Sequence, residues 1–188
     1  MSFLKKFWHF IWHEDSFASW VANIILAVII VKFIFYPALG FLLGTKFPIV
    51  AVVSESMEHN ENFEAWWEKN KDFYLSINIT KEEFLNYPFK NGFNKGDIMI
   101  LRGAKDIKRG NILVYHSDKH VNPIIHRIVA INDKISTKGD NVAVIQNFEK
   151  EITKENIIGK SLFKIPFLGY IKIIFTEIVG GIKNVILS

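Results

Sequence analysis

At 188 residues, 49% of them hydrophobic and 14% aromatic, the chain has room for one modest domain with attached segments, since a domain takes about 100–200 residues. The net charge is +4, and Lys and Arg are interleaved with Asp and Glu, so composition offers no support for nucleic-acid binding and suits a membrane surface better. There is no cysteine, which excludes disulfides, thiolate metal sites and cysteine nucleophiles.

Residues 1–19 include FLKKFWHFIWHEDS, in which Phe3, Phe7, Trp8, Phe10, Ile11 and Trp12 accompany Lys5 and Lys6. This is the composition of an amphipathic helix lying at a membrane boundary, and the two lysines favour a cytoplasmic N-terminus. His9 and His13 read as interfacial residues. Residues 20–44, WVANIILAVIIVKFIFYPALGFLLG, form an apolar run. At about 1.5 Å per residue it can cross a hydrocarbon core of about 30 Å. Its single charge, Lys32, is expected to snorkel. A cleavable leader is the rival, because small residues Ala38 and Gly40 follow Pro37. Against it, the apolar run continues through Phe41, Leu42 and Leu43, so a retained anchor is expected.

Residues 45–166 predict a mainly β, antiparallel domain. Short β-branched runs recur at 48–53, DIMIL (97–101), NILVY (111–115), PIIHRIVAI (123–131) and NIIGKSLFKI (156–165), separated by Gly, Asn and Asp turns. Residues 60–94 change character and read as an insertion of two short helices. Phe63, Trp66, Trp67 and Tyr74 fall on about one helical face, and Thr80-Lys81-Glu82-Glu83 has the form of a capping box. The two tryptophans suit packing of the insertion on the β domain, with contact to lipid or to a bound peptide as the other use. Asn78-Ile79-Thr80 is both a glycosylation sequon and a helix-capping sequence. The tail, 167–188, is apolar again but interrupted by Lys172, Glu177, Lys183 and Gly180-Gly181. It predicts a C-terminal apolar helix, either interfacial or a second span.

The chemistry concentrates in IIHRIVAINDKISTKGD (124–140). Alternation places Ile124, His126, Ile128 and Ala130 on one strand face, with Asn132-Asp133-Lys134 as a turn. If that turn takes all three residues, Ile131 pairs with Ile135 and His126 falls opposite Asp140; a shorter turn moves the partner to Gly139. Opposed side chains have Cβ atoms about 4.5–5.5 Å apart, within reach of a histidine–carboxylate contact. Such a pair can activate a serine hydroxyl, which Ser56 or Ser54 in AVVSESMEHN could supply. On spacing alone, however, a histidine on an apolar face is more often a packed core residue.

An apolar N-terminal segment followed in order by SESM, NKGDIMIL, NILVY, IIHRI and TKGDN resembles the type I signal peptidases of the archaeal and endoplasmic-reticulum kind, in which a histidine stands where bacterial members have a lysine. The resemblance covers about residues 20–166, apart from the insertion. It implies a signal-peptidase-like β domain and a membrane-bound serine endopeptidase that cleaves signal peptides from exported preproteins. In these terms Ser56 is the nucleophile, His126 the general base and Asp140 the orienting acid, while Ser54 and Met57 are oxyanion or substrate-binding residues. No cofactor or metal is implied. The implied partners are signal peptides and the lipid bilayer, with the export machinery as a further candidate and no nucleic acid. The implied location is the cell membrane, with the catalytic domain on its extracytoplasmic face.

The chain departs from the family pattern at Glu58-His59, where proline is common, and at Gly110-Asn111, where a second Gly-Asp is common. It departs again at Gln146, where a second aspartate is common, which leaves Asp140 as the sole acid candidate. These departures keep a second class open, a non-catalytic membrane-anchored subunit of the same fold that binds signal peptides. A serine–lysine protease using Lys138 fits less well, because the counted pairing puts Lys138 opposite Ile128. His116, Asp118 and His120 have metal-ligand side chains but occupy a polar loop without further ligands in view.

Overall fold

The computed structural model describes residues 2–171 and 173–175. Chain contacts divide it into two units, one ending at Leu42 and one starting at Leu43.

In the first unit, α1 (Phe3–His13) carries exposed Phe3, Phe7, Trp8 and Trp12, and α2 (Phe17–Ile30) follows after a short break. The break is held by polar side chains of α2: the Ser19 hydroxyl donates to Phe10 O at 2.6 Å and the Asn23 amide donates to Ile11 O at 3.0 Å. These bonds satisfy carbonyls that the end of a helix leaves without intrahelical partners. The helix continues through a π-helical turn, Val31–Phe35, into α3 (Tyr36–Leu43). Pro37 has no N–H to give to the preceding turn, and the wider turn, closed by Tyr36 N–H to Val31 O, passes the chain around that gap. Phe17–Leu43 is 27 residues of helix, long and apolar enough to cross a membrane. Lys32 lies over the Phe33 ring at 5.4 Å.

The second unit is built on a six-stranded antiparallel sheet, in the order β1 (Ile49–Ala51), β2 (Ile98–Arg102), β6 (Ile157–Ile165), β3 (Ile112–Ser117), β4 (His120–Ile131), β5 (Ile135–Lys138). Five of these strands fall on the expected β-branched runs, and β5 is the return arm expected after the Asn132–Lys134 turn. The two ends of this order meet in space: the Asn141 N–H, just past β5, donates to Ser56 O, just past β1, at 2.8 Å. The sheet is therefore strongly coiled, and its two edges bring the SESM turn to the middle of β4.

The insertion is two helices, α4 (Phe63–Ser76) and α5 (Lys81–Leu85). Asn62 caps α4 by accepting from Ala65 N, and Thr80 caps α5 by accepting from Glu83 N at 3.2 Å, so capping accounts for Thr80. Trp66, Trp67, Tyr74, Ile79 and Phe84 form a buried cluster completed by Val129 of β4. The tryptophans are thus interior residues of the insertion rather than lipid-facing ones.

Val129 belongs to a β-bulge. β4 and β5 pair Ile131 with Ile135 and Ala130 with Ser136, but then Ile128 with Thr137 and Arg127 with Lys138, so Val129 is the extra residue. Its side chain reaches the insertion, and the bulge shifts every later pairing by one. Of the tail expected over residues 167–188, residues 170, 171 and 173–175 are helical, and the rest of that expectation lies outside the described residues.

Candidate active site

The SESM segment leaves β1 and turns back against β4 and β5. Ser56 O accepts from Asn141 N, Glu55 O accepts from the Asn141 side chain at 3.1 Å, and Phe93 N donates to Met57 O at 3.1 Å. Held in this way, Ser56 Oγ lies 2.9 Å from His126 Nε2, and Ser54 Oγ lies 3.1 Å from Ser56 Oγ. Gly139 packs against this pair: a Cβ there would stand 2.8 Å from Ser56 O and 3.0 Å from His126 Nε2, so a side chain at position 139 has no room.

The pair opens onto a cleft of about 390 Å³. One wall comes from Ala51 at the end of β1 through Ser54 and another from Val121–Ile125 of β4, with Val142, Gln146 and Phe148 also lining it. The walls are mostly apolar, with Ser54, Ser56 and His126 reaching the space together.

The structure does not bring Asp140 to His126. The three-residue turn is present, but the bulge at Val129 carries the register one residue on, and His126 falls beside Gly139 instead. Asp140 consequently takes the face of Arg127 and is wholly buried there. Its Oδ1 accepts from Arg127 Nε at 2.9 Å and Tyr74 OH at 3.2 Å, and its Oδ2 accepts from Arg127 Nη2 at 2.6 Å and meets His59 Nε2 at 3.0 Å. Burial pushes the Asp140 carboxyl up, but Arg127 and His59 outweigh it and hold the group well below the usual carboxylate range.

Arg127 uses all five of its N–H donors: two on Asp140 and the others on Pro88 O, Gly110 O and Phe89 O. It also lies 4.7 Å from the Phe84 ring. His59 stacks on Trp66 with centroids 3.8 Å apart. The pair Glu58-His59, where the family pattern breaks, is therefore where the insertion is tied to the sheet: Glu58 accepts from Lys95 N at 2.8 Å, and His59 joins Asp140.

Met57 is 1% exposed and does not line the cleft. It packs in the core with Val52, Phe93 and Met99, and its sulfur accepts from Asp140 N at 3.3 Å, because the turn after Ser56 drives the next side chain inward. Contrary to the substrate-binding role expected of it, Met57 is a core residue with no surface on the cleft.

A carboxylate that the sequence did not single out does reach the histidine. Glu149 ends a 3-10 turn, Asn147–Glu149, and its Oε1 is 2.5 Å from His126 Nδ1, close but bent away from ordinary hydrogen-bond alignment. The available signal was Gln146-x-x-Glu149, which folds as a capping box with Glu149 Oε2 accepting from Gln146 N at 2.6 Å. Glu149 stands three residues after Gln146, where the family pattern commonly has its second aspartate.

Lys138 donates to Gly139 O at 3.0 Å and lies over Phe73 and Tyr74, away from the serine. Burial pushes its ammonium down to about 8, although Asp140 and Glu149 hold it up. His116 and His120 lie in β3 and β4 rather than on a loop, with only Asp118 and Lys119 between the strands; His120 sits edge-on to Phe148 at 4.5 Å, and no cluster of three or more metal-binding side chains gathers among the described residues.

An antiparallel β unit here presents a serine hydroxyl to a buried histidine at a cleft, the pairing by which a serine can be activated as a nucleophile, and an apolar helix long enough to cross a membrane precedes it in the chain. The chain is similar to the signal peptidase complex catalytic subunit SEC11 of Candida tropicalis, 34% identical over 97 residues, which are 45% of this chain and 58% of that protein. It is 33% identical over 98 residues to the sec11 subunit of Sclerotinia sclerotiorum, covering 45% of this chain and 57% of that one. To SEC11C of Homo sapiens it is 26% identical over 98 residues, covering 45% and 51%. The chain thus spans little more than half the length of these curated relatives. No family model matches it.

Proposed function

We propose that this chain is a membrane-bound serine endopeptidase that cleaves signal peptides from exported preproteins. The observation that carries the reading is the 2.9 Å approach of Ser56 Oγ to His126 Nε2 at the edge of the cleft. The names of the similar proteins, catalytic subunits of signal peptidase complexes, supply the substrate class.

The reaction follows from the geometry. Ser56 Oγ attacks the scissile carbonyl as His126 Nε2 takes its proton, and His126 then returns that proton to the leaving amine. Water, deprotonated by the same nitrogen, frees the acyl group. The Ser54 hydroxyl is close enough to Ser56 to turn onto the oxyanion together with the Ser56 backbone N–H. Anchoring enzyme and substrate in one bilayer raises the rate at which cut site and serine meet. Lys5 and Lys6 support a cytoplasmic N-terminus, and with it the proposed location of the β unit on the extracytoplasmic face of the cell membrane, with the export machinery as a proposed partner.

Ser56→Ala, in full-length protein reconstituted into liposomes, should abolish preprotein cleavage while insertion and melting temperature stay at wild-type values. Cleavage retained by that variant overturns the assignment of the nucleophile. Failure of the wild-type protein to cleave any preprotein, with the peptide nevertheless bound, would instead make it the non-catalytic binding subunit.

A further inference from the structure

Two buried acids stand near the serine–histidine pair, and the contacts divide their work. His126 Nε2 is committed to Ser56 Oγ at 2.9 Å, so only Nδ1 is left to take an orienting partner. The oxygens of Asp140 are taken by Arg127, Tyr74 and His59 on the other face of the hairpin. Glu149 Oε1 is 2.5 Å from Nδ1.

The place of Glu149 does not depend on His126. Its Oε2 closes the capping box on Gln146 N at 2.6 Å, and its Oε1 also accepts from Gly139 N at 3.2 Å. A rigid 3-10 turn therefore aims this carboxylate, whose side chain is 0% exposed. A buried carboxylate needs donors, and besides the backbone N–H groups of Gly139 and Gln146 the side-chain contact that Glu149 makes among the described residues is with His126. The proton positions are mutually consistent: with Ser56 donating to Nε2, the ring hydrogen belongs on Nδ1, facing Glu149.

Resting on the function proposed above, we infer that Glu149, and not Asp140, is the positioning acid of His126. Glu149 holds the imidazole with Nδ1–H inward and Nε2 toward the serine, and it stabilises the imidazolium when Nε2 receives the Ser56 proton. It gains no proton itself; the proton passes from Ser56 Oγ to Nε2 and on to the leaving amine. The bent resting contact straightens as the ring charges, in keeping with catalytic hydrogen bonds that align only in the substrate complex. The other titratable groups facing Glu149 are Lys138 of β5 and Tyr115 of β3, with Asp140 beyond Lys138. Asp140 instead anchors the insertion through Arg127, His59 and Tyr74.

The test compares Glu149→Gln, Glu149→Asp and Ser56→Ala in full-length protein, with rates of wild type and the Glu149 variants counted per site that a serine-acylating probe labels, so that misfolded molecules drop out, and the rate of Ser56→Ala counted per folded molecule. Glu149→Gln should lower kcat by about 100-fold or more with KM nearly unchanged. Without the anion the imidazolium is less favourable, so the rising limb of kcat/KM against pH should move down by about one unit. Glu149→Asp keeps the charge and should recover part of the rate and return the limb toward the wild-type position. Glu149→Gln with wild-type kcat overturns the inference, and so does a lowered rate with an unmoved limb and no recovery in the Asp variant. If Glu149→Gln yields no labelled protein, the Asp variant decides: a wild-type limb position with reduced kcat supports the assignment, and a limb displaced to lower pH overturns it. A wild-type protein that cleaves no better than Ser56→Ala refutes the proposed function itself. An inert Ser56→Ala beside a fully active Glu149→Gln refutes only the role of Glu149.

Discussion

Replacing Asp140 by Asn should destabilise the fold strongly, although the residue does not touch His126. The carboxylate accepts from Arg127 Nε at 2.9 Å, Arg127 Nη2 at 2.6 Å and Tyr74 OH at 3.2 Å, and meets His59 at 3.0 Å, all in a wholly buried setting. Asparagine keeps one acceptor oxygen and turns an amide N–H2 toward groups that are themselves donors, while Arg127, 0% exposed, keeps its charge without a counter-ion. Removing one side of a buried ion pair costs about 3–5 kcal/mol, a large part of the roughly 5–15 kcal/mol that holds a domain folded. For a chain of this length each kcal/mol shifts Tm by about 2–4 °C, so the variant should melt on the order of 10 °C lower. Tryptophan fluorescence of full-length protein in detergent micelles is the assay, because Trp66 stacks on His59 within this cluster. The pH dependence carries a sign. A carboxyl held below its unfolded value of about 3.9 contributes its full stability above that pH and loses it as pH falls toward the native value. The gap between wild type and Asp140→Asn should therefore be widest near neutrality and narrow progressively as pH falls below about 4. A variant that melts within about 2 °C of wild type, or a gap that does not narrow in acid, refutes the role of Asp140 as the anchor of the insertion.

Gly139→Ala should cost more activity than stability. Its new methyl group would stand 3.0 Å from His126 Nε2 and 2.8 Å from Ser56 O, so cleavage per folded molecule should fall at least about tenfold for an overpacking cost of about 1–3 kcal/mol; an unchanged kcat in a steady-state cleavage assay would show that the pair tolerates displacement. Lys138→Met should retain cleavage, because the lysine bonds Gly139 O and faces Phe73 and Tyr74 rather than the serine. Since burial drives this lysine down to about 8, the folded state resists its charge, and wild type should gain stability relative to Lys138→Met as pH rises through 8 toward the unfolded lysine range. Denaturant titrations at several pH values check that trend, and loss of cleavage in Lys138→Met would revive a lysine base.

Most of the sheet was legible in the sequence because β-branched runs bounded by turn residues leave little else to form, and β2, β3 and β6 fall on DIMIL, NILVY and NIIGKSLFKI. The two insertion helices were legible for a similar reason, through the shared face of Trp66, Trp67 and Tyr74 and the Thr80 cap. The register between β4 and β5 was not. Local pattern fixes the turn at Asn132–Lys134, but the extra residue at Val129 is set by a distant apolar pocket on the insertion, and no property of the hairpin announces it. The expected histidine–Asp140 contact failed on that one residue. Glu149 was obscured differently, since it belongs to the loop after the KGD motif and reaches His126 by the path of the turn rather than by strand pairing.

The bulge therefore does two jobs that look separate in the sequence. By presenting Val129 to the insertion it sends Arg127, Lys138 and Asp140 to one face of the hairpin, where Arg127 and Asp140 bind the helices. By the same shift it brings Gly139, which has no side chain, beside His126, and leaves room for Ser56 on one ring nitrogen and Glu149 on the other. With Asp140 opposite His126, as unbroken pairing would have it, Arg127 would lose its buried counter-ion and a side chain would fill the space that Gly139 leaves for Ser56. Docking of the insertion and exposure of the histidine to both partners are thus alternatives to the simple hairpin, and one inserted residue selects them together.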